Sequence, residues 1–182
     1  MSHAFDQAIE FVLPHEEEFA RGHWGDEKFV IAEHDPDDPG GTTKYGIDAR
    51  SHQGVDIENL TRDQAIAIYA QEWQAHNLDA IPERLAIAMF DVWVNGGSAV
   101  KWLQSAINLY PPPGVKWLAP DGVMGPKTVA AANACDQDKV INAFLLERDG
   151  RFQWLASKGG MSKYLGGWLQ RDRDLRAYLR AN

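Results

Sequence analysis

The stretch from Leu85 to Val94 is apolar at almost every position, and it constrains the fold more than any other feature of the sequence. A helix with so few polar positions has no face suited to water, so it belongs in the middle of a core. Pro82 suits the start of this helix, and Asn95-Gly96-Gly97 is typical of its end. A chain of 182 residues is long enough to bury such a core without crosslinks.

Helical patterns lie on both sides of this segment. A first helix is indicated by apolar residues at helical spacing, and Pro14 is expected to bend or end it, so that Glu16 lies just beyond it. Thr61 and Gln64 form a capping box that opens a second helix. Further helices are predicted at about 98–109, 126–132, 139–156 and 162–179. The apolar stripe of the first helix consists of Phe5, Ala8, Ile9, Val12 and Leu13.

Residues 20 to 58 follow a different pattern. Phe29-Val30-Ile31 is a short β-prone run, and Thr42 to Ile47 follows a Pro-Gly-Gly turn. The fold class predicted from these patterns is mainly α, or α+β with few strands. Its core is a helical bundle, and a small β-hairpin lobe lies between the first and second helices.

The charge and the cysteine count exclude several classes of protein. A net charge of -8 argues against a general nucleic-acid binder. From Arg148 onward basic residues outnumber acids, and we favour a solvated C-terminal face over a surface for an anionic cell envelope. Cys135 is the one cysteine, so no intrachain disulfide can form. We interpret it as buried or incidental, because a reactive thiol needs an electropositive setting.

The first residues have neither a basic region nor an apolar region of the kind found in signal peptides, and no stretch approaches about 18 apolar residues. We therefore expect synthesis in the host cytoplasm without a signal peptide and no stable insertion in a membrane. If the protein acts in the periplasm or cell wall, it must be released there by another component.

Metal, serine and nucleotide chemistry find no support in the motifs. His15-Glu-Glu-Glu-Phe19 lacks the second histidine of the zinc-protease pattern. The run from Asp35 to Gly46 resembles the start of a calcium loop but has Gly46 where the bidentate glutamate should stand. There is no Gly-x-Ser-x-Gly elbow and no P-loop. We expect no metal site and no organic cofactor.

Glycosidic-bond cleavage remains as a chemistry that the residues could support. It needs a carboxylic acid with a raised pKa beside the leaving oxygen and usually a second carboxylate. Glu16, after the first helix and opposite an acidic β-lobe, suits the role of the acid. From the residues alone, this is one of many carboxylate pairings.

Several segments together resemble one family. Asp38-Pro-Gly-Gly-Thr-Thr-Lys-Tyr-Gly-Ile47 closely matches the pattern Asp-Pro-Gly-Gly-x-Thr-x-Tyr-Gly-Ile. Leu13 to Glu18 occupies the place of a hydrophobic-x-x-Glu-Gly-Gly helix end. The segments Phe90 to Gly97, Asp121 to Thr128 and Tyr164 to Arg171 also agree. This pattern resembles glycoside hydrolase family 108, the phage and bacterial N-acetylmuramidases with a C-terminal peptidoglycan-binding-like region.

The resemblance implies a lysozyme-like fold with two regions. Residues 1–97 are expected to form the catalytic region, and residues 98–182 a helical peptidoglycan-binding-like region packed on it, whose independence is left open. The implied reaction is hydrolysis of the β-1,4 bond between N-acetylmuramic acid and N-acetylglucosamine. The expected partner is the peptidoglycan glycan strand, and the protein is expected to be a monomer. A phage endolysin released through a holin pore is the favoured setting, and a bacterial or prophage-derived enzyme is the alternative.

Residue roles follow from the matched positions. Glu16 is the candidate general acid, although Glu17 and Glu18 replace the family's glycines and leave open which carboxylate faces the cleft. Asp38 is a candidate second carboxylate, with turn structure as the favoured alternative. Asp35 and Asp37 are weaker candidates. Thr43 is a candidate for positioning the attacking water, with strand packing as the alternative.

Three further segments are candidates for substrate binding. Tyr45 could contact sugar rings or pack within the hairpin, and Asn95 could bind an acetamido group or cap its helix. The segment from Asp121 to Thr128 could dock the cell wall or simply form turns that lead into a helix. Trp117 nearby could stack on a sugar, although most of the seven tryptophans must belong to the core.

Three other functions remain open at this point. A lytic transglycosylase needs one glutamate and no second carboxylate. A peptidoglycan-binding module without catalysis is suggested by the altered Glu-Gly-Gly pattern. A basic last helix, from Arg171 to Arg180, could perturb an anionic membrane, although Asp172 and Asp174 argue against it.

Overall fold

A computed structural model describes residues 2–18, 32–34, 41–158 and 160–182. Contacts divide the chain into two compact units. The first unit comprises described residues from 3 to 75, and the second comprises described residues from 76 to 182 together with Ser2. This division concerns spatial contacts, and the functional regions 1–97 and 98–182 stay a prediction.

The first unit contains two helices and a small sheet. Helix α1 spans His3–Glu18 and helix α2 spans Arg62–Ala75. The capping box of α2 is confirmed, because Gln64 N donates to Thr61 Oγ1 (3.3 Å) and Thr61 N donates to Gln64 Oε1 (2.9 Å). The apolar stripe of α1 packs inward, and α2 contributes three buried residues at a spacing of four: Ala65, Tyr69 and Trp73.

The expected end of α1 at Pro14 is wrong. The helix continues through Pro14 to Glu18, so Glu16 lies in its last turn and not beyond it. A proline ring removes the bond to the carbonyl four residues earlier, here that of Glu10. Glu10 is exposed, so water can solvate its carbonyl and the interruption is tolerated.

The sheet has three antiparallel strands in the order β1-β2-β3. They span Glu33–His34, Thr42–Lys44 and Ile47–Asp48. In the central strand, Thr43 lies opposite Glu33 on one side and Asp48 on the other. The predicted small β-lobe between the first two helices is thereby confirmed.

The second unit is helical in its described residues. Its helices are α3 (Glu83–Val94), α4 (Ala99–Leu109), α5 (Pro126–Ala134), α6 (Gln137–Ser157) and α7 (Leu165–Ala181). Short 3-10 turns span Leu78–Ala80 and Ser162–Tyr164. The mainly α, lysozyme-like fold class is confirmed. No helix in the described ranges is both long and apolar enough to span a membrane.

Helix α3 is the core of the second unit, as its composition predicts. Every residue from Leu85 to Val92 is buried, and α3 contacts α4, α6 and α7. Asn95 caps its end, and Gly96 follows with a φ of +77°, a left-handed conformation that suits glycine.

One acid lies within this apolar helix. Asp91 is fully buried, and it accepts hydrogen bonds from Arg148 Nη1 of α6 (2.5 Å) and from Arg171 Nη2 of α7 (2.7 Å). Burial by itself raises the pKa of Asp91, but the two guanidinium groups outweigh burial and lower it to about 2.

The favoured solvated C-terminal face is therefore wrong for three of its charged residues. Arg148, Arg171 and Asp172 are buried. The sequence predicts a surface position for these residues, because arginine and aspartate are rarely buried unless they form ion pairs. The same burial removes Arg171 and Asp172 from any membrane-facing surface of the last helix.

The pKa of Asp172 is shifted in the opposite direction to that of Asp91. Asp172 is 1% exposed, and its Oδ1 lies 3.0 Å from Arg148 Nη1, which Asp91 already engages. Burial raises the pKa of Asp172 to about 8 despite the attraction of Arg148, and the neighbouring Asp149 and Asp91 raise it further. Burial therefore favours the protonated form of this carboxyl group.

We predict that Asp172 makes the protein less stable as the pH rises. The folded state holds a proton here that the unfolded chain releases near its ordinary pKa of 3.8, so stability falls between about pH 4 and pH 8. The slope is at most about 1.4 kcal/mol per pH unit. Asp172→Asn should abolish this decline, as measured by urea unfolding across that range.

Asp174→Asn is the matched control, because its carboxylate accepts from Gln170 at an exposed site on the same helix. It should retain the decline of the unmodified protein. A decline that persists in Asp172→Asn would show that another group takes up the proton.

Candidate active site

Glu16 lies at the point where α1 meets the β-hairpin. Its side chain is half-buried. A Cβ built on Gly46 would lie 2.8 Å from Glu16 Cγ and 2.9 Å from Glu16 Cδ. The carboxyl group of Glu16 therefore packs directly over the backbone of the turn between β2 and β3.

The turn consists of Tyr45 and Gly46, with φ values of +54° and +75°. Two positive φ values in a two-residue hairpin loop define a type I′ turn, which normally has Asn-Gly or Gly-Gly. A tyrosine in this conformation costs of order 1–3 kcal/mol, and such strain is often found at functional sites.

Tyr69 of α2 stabilises the turn. Its hydroxyl donates a hydrogen bond of 2.6 Å to the carbonyl oxygen of Tyr45, and its ring is buried. A Cβ on Gly46 would lie 2.6 Å from the same hydroxyl. Three elements thus converge on Gly46, and only a residue without a side chain fits between Glu16 and Tyr69.

The sequence gives no sign of this role for Tyr69, which lies on the buried face of α2. The spacing of Ala65, Tyr69 and Trp73 indicates burial, and it carries no signal for what the hydroxyl contacts. Glu16 and the Tyr45–Gly46 turn, in contrast, both lie in the segments that suggested the family.

The structure does not describe the side chains of the other acids that were predicted for the site. Asp38, Asp35 and Asp37 lie outside the described residues, so the role of Asp38 stays a prediction. The side chains of Glu17 and Glu18 also lie outside the described part of the chain.

Asp48 is a described carboxylate of the hairpin, but it has a structural task. Its Oδ1 accepts from Ser51 N (2.9 Å) and Arg50 N (3.1 Å). Burial raises the pKa of Asp48, but these hydrogen bonds outweigh burial and lower the pKa. Asp48 is therefore an ionised turn residue and a poor candidate for the acid.

The remaining predicted site residues, the catalytic candidate Thr43 and the binding candidates Tyr45 and Asn95, are divided between the two units. Thr43 lies in the central strand, two residues before the turn, and it is half-buried. Tyr45 is only 5% exposed, which favours hairpin packing over a sugar contact. Asn95 is the C-cap of α3 in the second unit, with φ and ψ of -91° and 17°. The functional roles of Thr43 and Asn95 stay predictions.

Within the ranges that the structure describes, no group of three or more His, Cys, Asp and Glu side chains is arranged to hold a metal ion. The chemistry available around Gly46 is that of a partly buried carboxyl group with a hydroxyl and backbone beside it. Such a carboxyl group can transfer a proton to a bound substrate.

We predict that Gly46→Ala destabilises the protein through two effects. The positive φ costs about 1–2 kcal/mol for any L-residue. The collision with Tyr69 and Glu16 adds about 1–3 kcal/mol, as overpacking does in cores. Chemical denaturation measures the free energy of unfolding.

Gly54→Ala separates the two effects, because Gly54 has a φ of +89° and open space around its Cβ position. It should show the conformational cost alone. Equal losses in the two variants would mean that Glu16 and Tyr69 do not crowd Gly46.

Two family models match this chain. Residues 31–97 match the family model described as "Glycosyl hydrolase 108", and residues 98–173 match the one described as "Predicted Peptidoglycan domain". No curated protein matches the chain.

Among the solved structures that match is the structure of Brucella abortus SagA, which is 29% identical in sequence, with a TM-score of 0.70. The match covers 97% of this chain and 94% of that one. The chain therefore contains a region that matches glycosyl hydrolase family 108, followed from residue 98 by a region that matches a peptidoglycan-binding-like family.

Proposed function

We propose that the protein is a muramidase that hydrolyses the β-1,4 bond between N-acetylmuramic acid and N-acetylglucosamine, with Glu16 as its general acid. The two family matches support a peptidoglycan-degrading glycosidase. The choice of bond and of the acid is our proposal.

The observation that carries the assignment is the contact between Glu16 and Gly46. The matched range of the glycosyl hydrolase family begins at residue 31, so Glu16 precedes it. Gly46 lies inside that range, in the segment Tyr-Gly-Ile that is the most specific part of the sequence pattern. The close packing of Glu16 on Gly46 supports a shared site.

The rigidity of this contact suits proton transfer. Glu16 is carried by a helix and Gly46 by a hairpin turn, and Tyr69 bonds that turn from α2. A catalytic group on regular elements keeps its position better than one on a free loop. The half-buried position leaves part of the side chain accessible to a glycan.

The reaction begins when protonated Glu16 donates its proton to the glycosidic oxygen. The bond between this oxygen and the anomeric carbon breaks, the N-acetylglucosamine side leaves as an alcohol, and positive charge develops on the muramic ring. Water then adds to the anomeric carbon and loses a proton. We propose Thr43 for positioning this water and Asp38 as the carboxylate that receives the proton or stabilises the charge.

The setting follows from the sequence expectations. We propose that a monomeric protein, made in the cytoplasm, reaches the cell wall after release and acts there as an endolysin. Asn95 is our candidate for contact with an acetamido group, and Tyr45 contributes to the turn.

We predict that Glu16→Gln lowers the release of glycan fragments by about 10²- to 10⁴-fold, the usual contribution of a general acid. Purified peptidoglycan is digested, and the soluble products are identified by mass spectrometry. The unmodified protein should yield reducing muramic ends. Glu10→Gln is the matched control, since Glu10 is exposed on the same helix, and it should digest normally.

Each other product pattern contradicts part of the proposal. Anhydro-muramic ends would identify a lytic transglycosylase. Normal digestion by Glu16→Gln would transfer the acid to Glu17, Glu18 or another residue. An absence of fragments from the unmodified protein, with retained binding to peptidoglycan, would identify a binding module without catalysis.

A further inference from the structure

The second unit presents an exposed tryptophan on the connection between α4 and α5. Trp117 is 72% exposed, and the adjacent Val123 is 61% exposed. Both line a groove of about 490 Å³, together with Pro126, Lys127 and the buried Gln104. Exposed apolar surface of this kind, bordered by polar groups, is typical of a binding site.

Two side chains of α4 hold the connection in place. Gln104 Nε2 donates to Asp121 Oδ1 (2.8 Å) and Val123 O (3.1 Å), and Gln104 Oε1 accepts from Gly122 N (3.1 Å). One turn later, Asn108 Nδ2 donates to Leu118 O (2.7 Å), and Asn108 Oδ1 accepts from Leu118 N (2.8 Å).

These bonds order the backbone on both sides of the groove. Leu118 is buried, while Trp117 beside it stays in solvent. The polar network therefore stabilises a conformation that exposes an indole ring. A platform ordered before binding loses less conformational entropy when a ligand arrives.

The charges near the groove are mainly positive. Lys127 lines it, Lys116 precedes Trp117, and the aliphatic part of Lys101 lies over Gly122. Asp121 is the acid of this segment, and it is engaged by Gln104 and Val123 N. In a chain with a net charge of -8, this local excess of lysine favours a ligand that carries carboxylates.

We propose that the Trp117 groove binds a peptide-bearing sugar of peptidoglycan. The indole ring of Trp117 stacks on the apolar face of a pyranose, and Lys127 pairs with a carboxylate of the attached stem peptide. This inference rests on the proposed function for the choice of polymer, and it lies within the range that matches the peptidoglycan domain.

Another exposed tryptophan of the second unit provides a comparison. Trp154 of α6 is 49% exposed, but Arg151 Cζ lies 4.4 Å and Lys158 Nζ 5.0 Å from the centre of its ring. The indole ring of Trp154 is thus already engaged in cation–π contacts within the protein. Trp154 is therefore a matched control for an exposed tryptophan outside the proposed site.

The test is sedimentation with purified, insoluble peptidoglycan. Every protein is full-length and carries Glu16→Gln so that the polymer stays intact. Trp117→Ala should weaken binding about tenfold, and Trp154→Ala should change it less than twofold. Unchanged binding by Trp117→Ala, or an equal loss in Trp154→Ala, would overturn the proposal.

A second comparison tests the peptide half of the ligand. Lys127→Gln should weaken binding to intact peptidoglycan about threefold, as loss of a surface charge pair does, and have no effect on strands from which an amidase has removed the stem peptides. An equal effect on both polymers would overturn the assignment of Lys127 to a stem-peptide carboxylate.

The two proposals can fail separately. Hydrolysis is measured with Glu16 intact and binding with Glu16→Gln. A protein that binds through Trp117 but releases no fragments with Glu16 intact would contradict the muramidase proposal alone. One that releases fragments and binds without help from Trp117 would contradict the groove alone.

Discussion

The second unit depends on the ion pairs that the buried carboxylate of Asp91 forms. Asp91 lies in α3, where every residue from Leu85 to Val92 is buried, and it bonds an arginine from each of two other helices. A buried ion pair of this kind contributes little net stability compared with apolar packing, because desolvation of the charges is costly. Removal of one partner is different, because it leaves an uncompensated charge in the core. The ion pairs thus join α6 and α7 to α3.

Packing between helices connects these ion pairs to the surface of the second unit. Helix α6 contacts α4, and α4 carries Gln104 and Asn108 on successive turns. These two residues order the connection that bears Trp117. The exposed platform is therefore built on the same helices that enclose α3. Its geometry depends on the core, although none of its bonds reaches Asp91.

The first unit depends on a different constraint, which is the lack of a side chain at Gly46. Glu16 and Tyr69 approach the turn from two helices, and Tyr69 donates a hydrogen bond to the carbonyl of Tyr45, which has a positive φ. The hairpin, α1 and α2 approach one another so closely here that a Cβ on Gly46 would collide with both Glu16 and Tyr69. Glu16 is positioned by α1 and by the backbone of the turn.

The sequence by itself determined the element types, the central place of α3, the capping box at Thr61 and the family. These features depend on local periodicity and on short motifs, which a chain carries whatever its tertiary contacts. Only the tertiary structure decided that α1 continues past Pro14, that Tyr69 holds the turn, and that Arg148 and Arg171 are internal. The roles of Tyr69, Arg148 and Arg171 depend on partners that are distant in sequence. A charged or aromatic residue has the same local pattern whether its partner is water or a buried group.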